Sequence, residues 1–215
     1  MAANESPSGS STGPDWRELV AVVLLSVTAI VTAWSGFQAS KWGGAMSISF
    51  SQASTARLEA ARLEGDANRK LTVQVSLFTQ WLQAYQDDDA ELADFLETRF
   101  PEPLATTFPL WAETQPLKNA DAPSTPFEME EYVVPELVAA ADADARADAK
   151  FDEALENNQR GDNYTVLTVA FATVLFFGAI SGRMRNPRAQ WTMLVLGCIG
   201  FVAASSLLIA YPKLV

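Results

Sequence analysis

The strongest constraint on this chain is the charge that three of its segments lack. Leu19–Ser40, Tyr164–Ile180 and Trp191–Ala210 contain no Asp, Glu, Lys or Arg and are predominantly apolar. A helix the length of the first run reaches about 33 Å, enough for a hydrocarbon core about 30 Å thick. Backbone in lipid must satisfy its own hydrogen bonds, so these runs are expected to be helices. The expected fold class is an all-α membrane protein with three transmembrane helices. A long antiparallel helical hairpin with a small cap is expected between spans 1 and 2.

Orientation follows from the turn between the last two runs. Arg183, Arg185 and Arg188 crowd into residues 183–189. Lys and Arg are retained on the cytoplasmic side. The N-terminus is therefore expected in the cytoplasm of a cell whose inner (plasma) membrane holds the chain. Residues 41–162 and the C-terminus are expected outside. The aromatic residues agree: Trp16 and Trp191 fall at the inner interface, and Trp34, Tyr164 and Tyr211 at the outer one. A cleaved signal peptide is the competing reading of the first run. The acidic tail before it and its length both speak against that.

Taken in order, residues 1–14, rich in Ser, Gly and Pro, read as a disordered tail. Asp15 reads as an N-cap, with Glu18 three residues on. Span 1 occupies 15–40. The acidic helical extracytoplasmic domain occupies 41–162, span 2 163–182, the basic cytoplasmic turn 183–189 and span 3 190–211. Within the domain, Ala45 to Tyr85 reads as one helix about 60 Å long. Its apolar seam is Ala53, Ala56, Ala60, Leu63, Ala67, Leu71, Val75, Phe78, Leu82 and Tyr85. Gly43-Gly44 either breaks this helix near the membrane or lets it run straight through. A short helix, Ala90–Phe100, follows Asp87-Asp88-Asp89. Prolines then crowd residues 100–132, a turn-rich cap. From Pro135 a second arm is expected to run antiparallel to the first and into span 2. Its seam is Leu137, Ala140, Ala147, Phe151 and Ala154, with Asp144 as the polar member.

Of the 26 acidic residues in the chain, most lie between Lys41 and Asp162, and the net charge is −11. Nucleic acid is disfavoured as a partner, because phosphate needs a positive footprint. The chain has no histidine and one cysteine, Cys198, so the commonest general base and metal ligand is missing. Asp87–Asp89 and the Asp142, Asp144, Asp148, Asp152 group read as solvated helix faces rather than cation sites. No nucleophile elbow, phosphate loop or dinucleotide fingerprint is present. No enzyme activity and no cofactor are expected. Gly178 and Gly182 form a GxxxG pair, and Gly197 and Gly200 lie on one side of the third run. Such small residues let membrane helices approach closely, here within the chain or between copies. In the cap, Phe108, Trp111, Phe127 and Tyr132 either bind a partner or close the tip of the hairpin.

Three stretches carry a resemblance: TAWSGFQASKWGG from Thr32, PSTPFEMEEY from Pro123 and GDNYTVLTVAFATVLFFGAISG from Gly161. In these the chain resembles a group of uncharacterised prokaryotic membrane proteins with an AWSGYQA-like segment after the first span. Phe37 stands where that group has Tyr. The resemblance implies one span, a helical insert and two further spans, and it implies no activity. The expected role is a non-enzymatic scaffold or accessory subunit, in contact with membrane lipid and with a protein partner or further copies of itself. The alternatives are a sensor that signals through a partner and a subunit of an oligomeric channel or transport complex. The spans' lack of ionisable residues disfavours an ion path through one chain.

Overall fold

The computed structural model describes residues 16–116 and 118–214, so the expected tail and the Asp15 cap lie outside the described residues. Those residues form helices and no strand. Helix α1 covers Trp16–Gln86, α2 Ala90–Glu97, α3 Leu104–Glu113, α4 Pro135–Ser181 and α5 Pro187–Ala210, with a 3-10 turn at Pro126–Glu128. Three of them, α1, α4 and α5, are long and apolar enough to cross a membrane. The chain divides into two compact units. Residues up to Ser49 and from Asp152 onward form one, and Phe50–Phe151 form the other. The second unit is thus shorter at both ends than residues 41–162. Trp42 packs with Tyr164, and the Ser49 hydroxyl donates to Glu153 at 3.2 Å, so these residues join the apolar helices.

Helix α1 passes Gly43-Gly44 without a break. Each glycine costs a helix about 1 kcal/mol relative to alanine. Here Trp42 is buried and Ala45 packs on its cluster, so packing fixes the local geometry. The buried face of α1 recurs at steps of three and four. In the first unit it runs Ala21, Leu24, Thr28, Ser35, Gln38, Trp42 and Ser49; in the second it runs Ala53, Ala60, Ala67, Gln74 and Phe78. Thr28 is accommodated by donating to the Leu24 carbonyl at 2.6 Å.

The seam differs from the expected one at its far end. Val75 and Tyr85 are exposed, and Gln74 and Ala84 are buried in their place. A seam traced by apolarity steps over Gln74, although the 3–4 spacing from Ala67 and Leu71 leads to it. On α4 the same kind of slip occurs. Ala143 is fully buried where Asp144 was expected, and Leu137 and Phe151 are exposed. A carboxylate in an alanine-lined seam would lose its hydration without a partner. Asp144 instead lies at the surface beside Arg57.

In the second unit, ion pairs join α1 to α4. Arg57 contacts Asp144 at 3.4 Å and Asp148 at 2.7 Å, Arg146 contacts Glu59 at 3.0 Å, and Lys70 pairs with Glu136. Phe50 and Phe151 meet edge to face at 5.4 Å. Exposed pairs of this kind contribute little stability, so their value is in fixing register.

Glu136, beside Pro135 in the first turn of α4, makes the pairing pH-dependent. The hydrogen bond from Lys70, and then one from its own backbone, hold its carboxyl below the ordinary 4.5. A lowered folded-state value favours the fold above the unfolded value, and that contribution is lost as pH falls through the folded one. Glu136→Gln is expected to lower the thermal midpoint at neutral pH. The gap from wild type should close on acidification below the usual glutamate range. A gap that is constant with pH, read by circular dichroism melts, would contradict this.

Candidate functional site

The glycines have distinct settings. A Cβ on Gly178 of α4 would lie 2.8 Å from Leu25 Cδ2 and 3.3 Å from Leu25 Cγ of α1. On Gly197 of α5 it would lie 3.4 Å from Leu24 Cδ2 and 3.7 Å from Phe177 Cβ, and on Gly200 3.2 Å from Val174 Cγ2. These three glycines therefore seat α1, α4 and α5 against one another. Gly182 lies beyond the end of α4, and the nearest atom to its Cβ position is the Ala179 carbonyl oxygen, 3.8 Å away. The spacing paired Gly178 with Gly182, yet the helix ends before the second of them.

Arg183 and Arg185 are exposed in the turn. Arg188 is also exposed but lies in the first turn of α5. The Asn186 side chain accepts from the Arg188 N–H at 3.0 Å, and Pro187 occupies the first helical position. Asn followed by Pro is a helix-start signal, and it moves the start three residues ahead of residue 190.

Two aromatic pairs mark the ends of the apolar helices. Trp16 and Trp191 lie 5.0 Å apart at one end, with the Arg17 guanidinium 5.8 Å from the Trp191 ring. Tyr164 and Tyr211 lie 5.9 Å apart at the other. On α5 the two levels are about 30 Å apart at 1.5 Å per residue. Near the second level, Gln38 is fully buried and uses both ends of its amide. It donates to the Leu214 carbonyl at 3.1 Å and accepts from the Leu214 N–H at 2.9 Å. The Tyr164 hydroxyl donates to the Pro212 carbonyl at 3.0 Å. The residues after α5 are thereby held against α1 and α4. Beside them the Arg160 guanidinium covers the Trp42 ring at 4.7 Å, and the backbone of Gly161 comes close enough that a Cβ would sit 3.6 Å from Trp42 Cβ.

The cap is an aromatic core. Phe78, Phe100, Leu104, Phe108 and Trp111 are buried together, with Phe127, Met129 and Tyr132 packed against them. Trp81 meets Phe108 edge to face at 4.7 Å, Phe78 meets Trp111 at 5.4 Å, and Phe127 meets Tyr132 at 5.0 Å. Trp111 Nε1 donates to the Pro123 carbonyl at 2.8 Å, tying the proline-rich loop to α3. Gln74 is the polar centre: its amide donates to the Glu102 carbonyl at 3.1 Å and accepts from the Tyr132 hydroxyl at 2.8 Å. Burial raises the Tyr132 hydroxyl pKa, so it remains a donor at neutral pH.

No family model matches the chain, and neither a curated protein nor a solved structure matches it. What the chain can do rests on its own geometry. Of the four cap residues singled out by composition, Phe108 and Trp111 are 3% and 4% exposed and belong to the core. Phe127 and Tyr132 are half-buried. Large apolar groups that reach the surface in this unit include Tyr85, Leu92, Phe95, Leu110 and Val133. Asp89, the last of the acidic run, accepts from the Leu92 N–H at 3.0 Å and caps α2. Two polar centres escaped the linear reading, Gln38 and Gln74. Both stand on the buried stripe of α1 at helical spacing, and that position was the available signal.

Between the end of α1 and the end of α3 lies an open cleft of about 240 Å³. Trp81 and Tyr85 stack along one wall at 5.4 Å, Trp111 and Pro116 form the other, and Lys118 stands at the rim. Its chemistry is mainly aromatic and apolar, with one amide, Gln115, and one cation, Lys118.

Proposed function

We propose that this is a multi-pass protein of the inner (plasma) membrane, acting as a non-enzymatic scaffold or accessory subunit that displays a helical extracytoplasmic unit to a protein partner. The observation that carries the reading is the pair of aromatic levels. Trp16 with Trp191 and Tyr164 with Tyr211 lie about a bilayer core apart, with charge-free helix between them. The exposed Arg183, Arg185 and Arg188 support a reading in which the first level faces the cytoplasm. The ion pairs support an antiparallel hairpin, since positions rise along α1 as they fall along α4. Glycine contacts within one chain account for the close approach of the three spans without a second copy. The partner would meet the exposed apolar groups of the cap, Tyr85, Leu92, Phe95 and Leu110, rather than its aromatic core.

One experiment tests both orientation and role. Ser124→Cys in a Cys198→Ala background is treated, in intact cells, with a membrane-impermeant thiol crosslinker. The expected result is labelling without permeabilisation and capture of one stoichiometric second polypeptide. Labelling only after permeabilisation would reverse the topology. Labelling without any captured polypeptide would remove the scaffold role.

A further inference from the structure

The cleft between α1 and α3 is the concave feature whose lining has a definite chemical preference. Its walls are three rings, Trp81, Tyr85 and Trp111, completed by Leu82, Ala112 and Pro116, with the neutral amide of Gln115 beside Lys118 in the lining. At about 240 Å³ it is smaller than the roughly 300–1,000 Å³ of a drug-sized pocket, so it has room for one ring system. Among the described residues no Asp or Glu lines it, although the unit around it is rich in both. Lys118 is exposed, and among the described residues no carboxylate pairs with it. The other lysine whose pairing is shown in this unit, Lys70, is held by Glu136.

From this we infer that the cleft binds a small aromatic carboxylate, with its ring between Tyr85 and Trp111 and its charge beside Lys118. A ring between two others gains edge and face contacts beyond simple area burial. A carboxylate supplies the charge-assisted partner that Lys118 lacks. A ligand ammonium would meet Lys118 as a like charge, which argues against an aromatic cage for cations. The Trp111 side chain is fixed for this by its bond to Pro123, and Trp81 by its contact with Phe108, so two of the three rings are in place before any ligand arrives. The site does not depend on how the chain is inserted, but it shares Tyr85 with the surface proposed above for a protein partner, so it is tested on the purified chain without one.

The test uses the full chain in lipid nanodiscs, titrated calorimetrically with phenylpropionate and with its neutral amide, against empty nanodiscs. The acid is expected to bind with a Kd below about 1 mM, and the amide at least about fivefold more weakly. Lys118→Met should bring the acid down to the level of the amide, while Lys118→Arg should retain its binding. Tyr85→Ala removes an exposed ring, leaves the core intact, and should weaken both ligands. Absence of heat above the blank at about 5 mM would overturn the inference. So would equal binding of acid and amide, or a Lys118→Met chain that binds the acid as wild type does.

Discussion

Trp111→Ala is expected to melt the cap. Trp111 meets Phe78 at 5.4 Å, Phe108 at 5.8 Å and Trp81 at 6.3 Å, and its indole N–H holds the Pro123 carbonyl. Truncating a buried tryptophan costs about 3–5 kcal/mol, from lost transfer energy and the cavity left behind. The loop around Pro123 loses its tie at the same time. Hydrogen exchange should show protection lost across residues 100–132, with the apolar helices unaffected. Phe95→Ala is the control. Phe95 is 53% exposed, so the change should stay within about 0.5 kcal/mol. Equal protection in wild type and Trp111→Ala would mean that the aromatic cluster does not hold the cap. The comparison also separates the two expected roles of these rings. A partner lost on Trp111→Ala reports unfolding, whereas one lost on Phe95→Ala reports a contact.

Gly178→Ile should disrupt the packing of the three apolar helices, and Gly182→Ile should not. The Cβ position at Gly178 already falls 2.8 Å from Leu25 Cδ2, so isoleucine forces that side chain and α1 away. Overpacking of this kind costs about 1–3 kcal/mol, occasionally more. At Gly182 the Cβ position meets only the Ala179 carbonyl oxygen, at an ordinary contact distance of 3.8 Å. The measurement is the thermal midpoint in detergent, followed by size-exclusion recovery after heating. Equal loss in the two variants would show that the pair acts as a unit, as the GxxxG spacing alone suggests. Loss at Gly182 alone would place the contact outside the chain, on another copy.

These cases show what could be read from the linear pattern. Charge-free runs of bilayer length identify α1, α4 and α5, because helix formation in apolar segments depends on local composition. The 3–4 spacing likewise finds Ala53, Ala60, Ala67 and Phe78 on one buried face. It fails at Gln74 for a physical reason. A glutamine enters a core only when both ends of its amide find partners. Those partners, the Glu102 carbonyl and the Tyr132 hydroxyl, come from turns far along the chain. The Ala143-for-Asp144 shift is the converse: the aspartate has Arg57 beside it at the surface, and the alanine takes the tight seam. The cap's division into core and surface was not legible, because irregular backbone has no period to indicate which rings face inward. Spacing does not mark where α4 stops, so it could not show that Gly182 falls past the helix end, whereas Asn186-Pro187 does mark where the next helix starts.

The clasp between Gln38 and Leu214 has a consequence for biosynthesis. Its two ends are 176 residues apart. A ribosome adding about 5–20 residues per second delivers the second end roughly 10–35 s after the first. Throughout that interval the glutamine amide has no Leu214 backbone to bond, and both ends of it must be satisfied by other partners. The contact between α1 and the residues after α5 therefore cannot form before Leu214 has been made. A chain stopped within α5 would carry α1 and α4 complete but leave Gln38 without its partner.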